Sequence, residues 1–188
     1  MGKAVIIAST LFVLAGLAAA QVPTAGNIFV GYSFENASSS ALNLDLSRPN
    51  LQGWEASLEG KVFPALGIVA DFTGHYGSQS FFIYPPAGPG PIKEDVSGHE
   101  EEVLFGPRFS FPVGRFRPFA EFEFGIGHIN NSNGYGSDTS FATAVGGGLD
   151  YRIIRPIAWR FEGDYVSTRF FHTSQSNVRL STGIVFRF

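Results

Sequence analysis

Among the 188 residues, the pair closest to a covalent catalyst is a histidine followed two positions later by a serine. The imidazole of His172 could deprotonate the hydroxyl of Ser174, which is the activation that an esterase needs. An acid that orients the imidazole is also required, and no Asp or Glu follows Asp164 in the chain. We therefore predict no enzymatic activity, with an esterase as the less favoured alternative.

A second group that could bind a ligand is the run from His99 to Glu102, which contains one imidazole and three carboxylates. Consecutive residues rarely point at one ion, so the run is interpreted as a solvated strand end rather than a cation site. His75 and His128 are likewise interpreted as interfacial or solvated imidazoles. The chain has no cysteine, which excludes thiolate metal sites and thiol nucleophiles. The sequence therefore predicts no metal and no cofactor.

The elements that carry these residues are strands, because bulky apolar side chains recur at every second position from Asn27 onward. In the first segment, for example, Ile28 and Val30 alternate with Phe29 and Gly31. The 20 Phe and 23 Gly of the chain also favour strands and tight turns over helices. Eight segments place bulky apolar residues on one face and small or charged residues on the other: 28–35, 54–61, 66–76, 104–111, 120–127, 141–152, 157–168 and 177–188.

The connections between these segments alternate strictly between short and long. The short ones contain proline and lie at 63–65, 112–117 and 154–156, whereas the long ones are rich in Ser, Gly, Pro and Asn and lie at 36–51, 77–100, 130–138 and 169–176. Alternation of this kind is typical of membrane barrels, and about 11 tilted residues cross a bilayer. We predict an all-β fold, an eight-stranded antiparallel up-and-down transmembrane β-barrel.

The long connection at 77–100 contains an unusual apolar stretch, Phe81–Pro86. Large apolar residues in an external loop indicate either a hairpin that extends above the bilayer or a contact surface for a ligand or another cell. The hairpin is the preferred interpretation.

Charged residues on the faces opposite the apolar ones would point into the barrel. Eight strands leave an interior only about wide enough for side chains, so we predict a lumen filled by paired charges. A narrow pore for ions or small solutes, cation-selective because of the small acidic excess, is the alternative. The predicted lumen charge network has eight acids and six bases: Glu55, Glu59, Lys61, Asp71, Arg108, Glu121, Glu123, Asp150, Arg152, Arg160, Glu162, Asp164, Arg179 and Arg187.

The N-terminal segment has the features of an export signal. Lys3 precedes an apolar run from Ala4 to Leu17, and the next three residues are alanines of the size that a signal peptidase reads. The run is shorter than the roughly 20 residues that a membrane-spanning helix needs. We therefore predict a signal peptide at 1–20, cleaved before Gln21, and one barrel domain at 21–188. The net charge of −3 excludes a basic surface for nucleic acid.

The last eight residues carry the most specific motif in the chain. Ser181, Gly183, Phe186 and Phe188 match the polar residue, the glycine and the two aromatic residues of the C-terminal signal of outer-membrane barrels. With its strand pattern, the mature chain resembles the small eight-stranded outer-membrane proteins of the A and X type. The resemblance implies a place in the cell outer membrane, contact with its lipid and lipopolysaccharide, and insertion by the barrel assembly machinery, which pairs with this strand.

The resemblance implies much less about activity. We expect a monomer with a structural or surface-interaction role, in which the extracellular loops meet an unknown ligand. The narrow pore is the second hypothesis. A lipid A-modifying esterase is the third, because the lipid A deacylases of the outer membrane carry a His-x-Ser pair at a place similar to His172–Ser174.

Overall fold

The computed structural model describes residues 25–36, 50–83, 92–131, 136–170 and 174–188. The predicted signal peptide, residues 84–86 of the apolar stretch, and His172 lie outside the described residues. Eight strands are present: β1 (Gly26–Asn36), β2 (Asn50–Phe63), β3 (Leu66–Ile83), β4 (Ile92–Ser110), β5 (Phe116–Asn131), β6 (Ser137–Ile154), β7 (Ile157–Thr168) and β8 (Gln175–Arg187).

The strands form one closed barrel in chain order. Each strand pairs antiparallel with the next, and β8 returns to pair with β1, for example at Ile28↔Phe186. Closure leaves no unpaired sheet edge, which is the condition for a sheet to cross a membrane. The predicted fold class is confirmed.

The barrel is apolar outside and polar inside, the reverse of a soluble protein. The side chains of Phe105 and Phe122 are 48% and 49% exposed, whereas those of the inward Arg108 and Glu123 are each 1% exposed. An apolar band around the whole barrel is a surface that lipid covers. No helix in the described part of the chain is long and apolar enough to cross a membrane.

The two ends of the barrel differ. At one end, here called the short-turn end, β2–β3, β4–β5 and β6–β7 are joined by the predicted short connections. Gly114 in the β4–β5 turn has a φ of 63°, a left-handed conformation that favours glycine. The first and last strands also meet at this end, where Gly26 and Phe188 exchange backbone hydrogen bonds of 3.0 and 3.1 Å. The opposite end is called the long-loop end.

The β3–β4 hairpin is longer than the alternation predicted. Residues 77–100 were expected to form a connection, but β3 and β4 stay paired as far as Ile83↔Ile92. The expected loop boundaries were therefore wrong on both sides, and residues 81–83 belong to an extended hairpin. Cross-strand hydrogen bonding continues past the apolar band because pairing needs a partner strand and not a bilayer.

Candidate functional site

The structure places thirteen of the fourteen predicted network residues inside the barrel. Lys61 and Arg187, nearest the short-turn end, keep side-chain exposures of 12% and 16%. The others are at most 5% exposed. Arg152 is the exception, because its side chain is exposed and donates to the Gly114 carbonyl oxygen at 3.1 Å.

Four buried titratable residues in the described part of the chain were missing from the predicted network. Glu35, Glu100, Glu102 and His75 are each at most 2% exposed. The interpretation of His75 and of the 99–102 run as solvated was therefore wrong for these side chains. The alternation of the sequence could have placed the two glutamates inside. Glu100 and Glu102 continue the inward phase of Leu104 through a stretch that was predicted partly as a loop.

The half of the lumen nearest the short-turn end contains what we call the inner cluster. It has four cations and four carboxylates: Lys61, Arg108, Arg160, Arg187, Glu59, Glu121, Asp150 and Glu162. At its centre, Arg108 donates from Nε to Glu121 at 2.5 Å and from Nη2 to Glu162 at 3.0 Å. Charge-assisted bonds of this kind hold β4, β5 and β7 together across the lumen.

Arg160 forms the second centre of the inner cluster. Its guanidinium donates to both carboxylate oxygens of Asp150, at 2.7 and 3.3 Å, and lies 3.5 Å from Glu162. The guanidinium carbon is 4.5 Å from the ring centre of Phe119 and 5.0 Å from that of Phe29. The guanidinium stacks on both rings, and the rings occupy the space between the ion pairs.

Two cations at the short-turn end complete the inner cluster. Lys61 forms an ion pair with Glu59 and donates to Ser110 Oγ at 2.7 Å. Arg187 donates to Asp150 Oδ2 at 3.0 Å. Each carboxylate of the inner cluster therefore has a cation within 4 Å.

The half nearest the long-loop end contains the outer cluster, built around Arg179. This guanidinium lies 3.0 Å from Asp71 and Asp164, 3.4 Å from Glu102 and 3.7 Å from Glu55. Those four acids come from four different strands, β3, β7, β4 and β2. One buried cation is thus shared among carboxylates from four of the eight strands.

Three further carboxylates of the outer cluster have no arginine. Glu35 accepts from Asn177 Nδ2 at 2.5 Å and lies 3.4 Å from His75 Nδ1. Glu100 and Glu123 are 2% and 1% exposed, and each has a buried oxygen without a hydrogen-bond partner. The strongest charges acting on Glu100 come from Glu35 and Glu102, which are also acidic.

Hydroxyl groups connect the parts of the outer cluster. His75 Nε2 lies 2.9 Å from Ser33 Oγ, and Ser181 Oγ lies 2.9 Å from Ser33 Oγ. The Ser181 hydroxyl is also 2.5 Å from Glu55, to which it donates. These contacts join Glu35 and His75 to Glu55 and Arg179 in one polar network. With Glu100 and Glu123, the outer cluster has seven carboxyl groups and one arginine.

One acidic group in the described part of the chain is compact enough to hold a metal. Oxygens of Glu121, Glu162 and Asp164 lie within 4.8 Å of one another. Arg108 already bridges Glu121 and Glu162, and Arg179 binds Asp164. The donor set is thus occupied by guanidinium groups and does not fit a metal ion in addition.

The four residues of the predicted assembly signal are divided between the faces and the end of the barrel. Phe186 is exposed on the outer face, and Ser181 belongs to the outer cluster. A Cβ on Gly183 would lie 2.3 Å from the Val30 carbonyl oxygen, so only glycine allows β8 to approach β1 there. The ring of Phe188 packs against Gly26, where a Cβ would approach it to 2.9 Å.

No protein-family model matches the chain, and no curated relative matches its sequence. Among solved structures, Neisserial surface protein A superposes with a TM-score of 0.64 at 14% identity, over 87% of this chain and 99% of that one. The fold is that of a small outer-membrane barrel. Ail of Yersinia pestis, in its complex with the heparin analogue sucrose octasulfate, gives a TM-score of 0.54 at 17% identity, over 86% of this chain and 98% of Ail.

Proposed function

We propose that this protein is an integral outer-membrane barrel with a lumen closed by its own side chains and a structural or surface-interaction role at its long-loop end. The observation that carries the proposal is the inner cluster, in which Arg108 reaches Glu162 across the lumen, Arg160 pairs with Asp150 on the adjacent strand, and both guanidinium groups stack on Phe119. Opening a path there would separate buried ion pairs, which costs several kcal/mol for each pair broken.

Side chains also close the half of the lumen nearest the long-loop end. Phe170 is fully buried, and its ring lies where a Cβ on Gly127 would approach it to 3.0 Å. Leu104, Ala142 and Val166 form a small apolar cluster on the same side of the lumen. Aliphatic and aromatic groups therefore fill the space that the outer cluster leaves, which favours a plug over a water-filled channel.

The proposed location follows from the outer face and the alternating connections. The protein is exported with a signal peptide at 1–20, cleaved before Gln21, and enters the outer membrane as a monomer through the barrel assembly machinery. The short-turn end faces the periplasm, and the long loops lie outside, among lipopolysaccharide. This orientation is tested by an epitope inserted at residue 88, which should be labelled by antibody on intact cells.

The role of the terminal aromatic in assembly is part of the proposal. Phe188→Gln should lower the amount of folded protein in the outer membrane, because the Phe188 ring is lost where β8 meets β1. Phe111→Gln, another exposed aromatic at the short-turn end, is the control for lost apolar surface. Equal amounts of the two variants would remove Phe188 from the assembly signal.

The partner at the long loops is proposed only as a class of surface ligand. Ail was crystallised with a polysulfated sugar, but the described long-loop end of this chain exposes one acid, Glu101, and one arginine, Arg169, above an acid-rich lumen. Repulsion between like charges makes a polyanion a poor ligand for this end. An enzymatic role is not part of the proposal, because no Asp or Glu follows Asp164 in the chain to orient His172.

Conductance tests the closed lumen against the narrow pore. Purified protein in planar bilayers should show absent, brief or small current steps. A pore would be selective for cations, because the excess of carboxylates in the outer cluster attracts them. Long-lived steps of general-porin size would overturn the proposal.

A further inference from the structure

The short-turn end of the barrel carries a ring of basic side chains without acids. Residues 60–67, 111–118, 151–157 and 186–188 contain no Asp or Glu. The same segments contain six of the 13 Lys and Arg residues of the chain. We call these six the basic rim: Lys61, Arg115, Arg117, Arg152, Arg155 and Arg187.

Most of the basic rim lacks a counter-ion. Arg117 lies opposite Asp150 in the β5–β6 register, but the oxygens of Asp150 are already bound by Arg160 and Arg187. The Nε of Arg117 is buried without a hydrogen-bond partner. Arg187 and Arg152 act on the Arg117 guanidinium as repelling charges, and Asp150 and Glu59 act on it as attracting charges. Three guanidinium groups therefore converge near two carboxylates, and both of these already form ion pairs with other cations.

The exposed members of the rim are equally unpaired. Arg115, Arg152 and Arg155 are exposed, and none of the three forms an ion pair with an acid in the described part of the chain. Arg152 instead donates to a backbone carbonyl, at 3.1 Å from Gly114 O. These side chains can reach an anion without breaking an existing salt bridge.

The aromatic residues beside the rim indicate its depth in the membrane. Phe116 and Tyr151 are sequence neighbours of Arg117 and Arg152, and their rings are 5.3 Å apart on the outer face. Phe111 is exposed at the same end. Aromatic side chains of membrane barrels concentrate at the level of the lipid head groups, so the rim lies at that level too.

We infer that the basic rim binds the phosphodiester head group of an anionic phospholipid in the periplasmic leaflet. Guanidinium groups bind phosphate oxygens through paired N–H donors and lose little hydration in doing so. The head group would supply the anion that Arg117, Arg152 and Arg155 lack. The inference rests on the proposed membrane location and orientation.

Lipid competition tests the inference. Protein refolded into vesicles of phosphatidylcholine containing a minor fraction of phosphatidylglycerol is extracted gently, and the co-purified lipid is measured by native mass spectrometry. Wild type should retain phosphatidylglycerol in excess of its fraction in the vesicle. The variant Arg117→Gln/Arg152→Gln/Arg155→Gln should lose this enrichment, by about five-fold for each arginine removed.

Arg169→Gln, which changes an exposed arginine at the long-loop end, is the matched control and should keep the enrichment. No enrichment in wild type, or equal enrichment in the triple variant, would overturn the inference. The other source of a phosphate group is the free ion. To test it, protein in detergent is incubated with inorganic phosphate and, for comparison, with chloride at equal ionic strength. Displacement of bound lipid by phosphate at millimolar concentration would reassign the rim to a free anion.

The same samples separate this inference from the proposed function. A barrel that folds into the vesicles without enriching phosphatidylglycerol contradicts only the lipid site. A chain that folds into no bilayer contradicts both. Folding is followed by the difference in electrophoretic mobility between unheated and heated samples, which does not depend on the bound lipid.

Discussion

The inner and outer clusters share one lumen and one set of strands but differ in how their charge is compensated. In the inner cluster four carboxylates face four cations, and two aromatic rings stack on the arginines. The outer cluster has seven carboxylates, of which four surround Arg179 and three have no arginine within 4 Å. The inner cluster can therefore close the barrel by ion pairing, whereas the outer cluster depends on a single cation.

The largest effect expected is the loss of that cation. Arg179→Ala removes the one arginine near Asp71, Asp164, Glu102 and Glu55, and breaking a buried ion pair in this way costs about 3–5 kcal/mol. The free energy of unfolding in lipid vesicles measures the effect. Arg160→Ala should cost less, because Arg187 still binds Asp150 and Arg108 still binds Glu162. Equal losses would show that the two clusters are not compensated differently.

A cation added at the border of the two clusters should be tolerated better than one on the outer face. Phe122→Lys places a charge in the lipid near the bilayer midplane, which costs about 2–4 kcal/mol. Ser57→Lys places it inside the lumen, opposite Asp71 in the register and between Glu55 and Glu59 on its own strand. The unfolding free energies of the two variants in the same vesicles are compared. A larger loss for Ser57→Lys would mean that the space is too small for the added side chain.

Neutralising one glutamate in each cluster should change stability in opposite directions. Glu121→Gln weakens the 2.5 Å bond from Arg108 and should destabilise the barrel by about 1.5–3 kcal/mol, the range for hydrogen bonds to charged groups. Glu100→Gln removes a buried carboxyl group on which Glu35 and Glu102 act as like charges, and it should stabilise the barrel by about 1–2 kcal/mol. Urea unfolding at neutral pH and fixed salt measures both. If both variants lose stability, the outer cluster is compensated by a cation that enters from solution.

The smallest effect is expected on conductance, because several side chains close the lumen together. Arg160→Ala removes the guanidinium between Phe29 and Phe119 and should increase the frequency of brief openings in planar bilayers. Glu100→Gln, at the other end of the lumen, should leave the current unchanged. An increase with Glu100→Gln alone would place the barrier to ions in the outer cluster.

Much of the barrel follows from the period-two pattern. Alternation predicted all eight strands, the three short turns and the inward face on which Arg108, Arg160 and Arg179 lie. It was less informative where the apolar face ends. Glu100 and Glu102 keep the inward phase beyond the bulky residues, and without those residues the strand resembled a polar loop.

The sequence by itself determined the fold class and the face of most charged residues, because neighbouring side chains of a strand point to opposite sides of the sheet. Only the tertiary structure decided which charges meet. Arg160 and Asn27 are 133 positions apart, and Ser181 meets Glu55 across 126 positions. Partners across a lumen depend on the register and stagger of all eight strands, which no single segment encodes. The separation into a balanced inner cluster and an acidic outer cluster is therefore a property of the closed barrel.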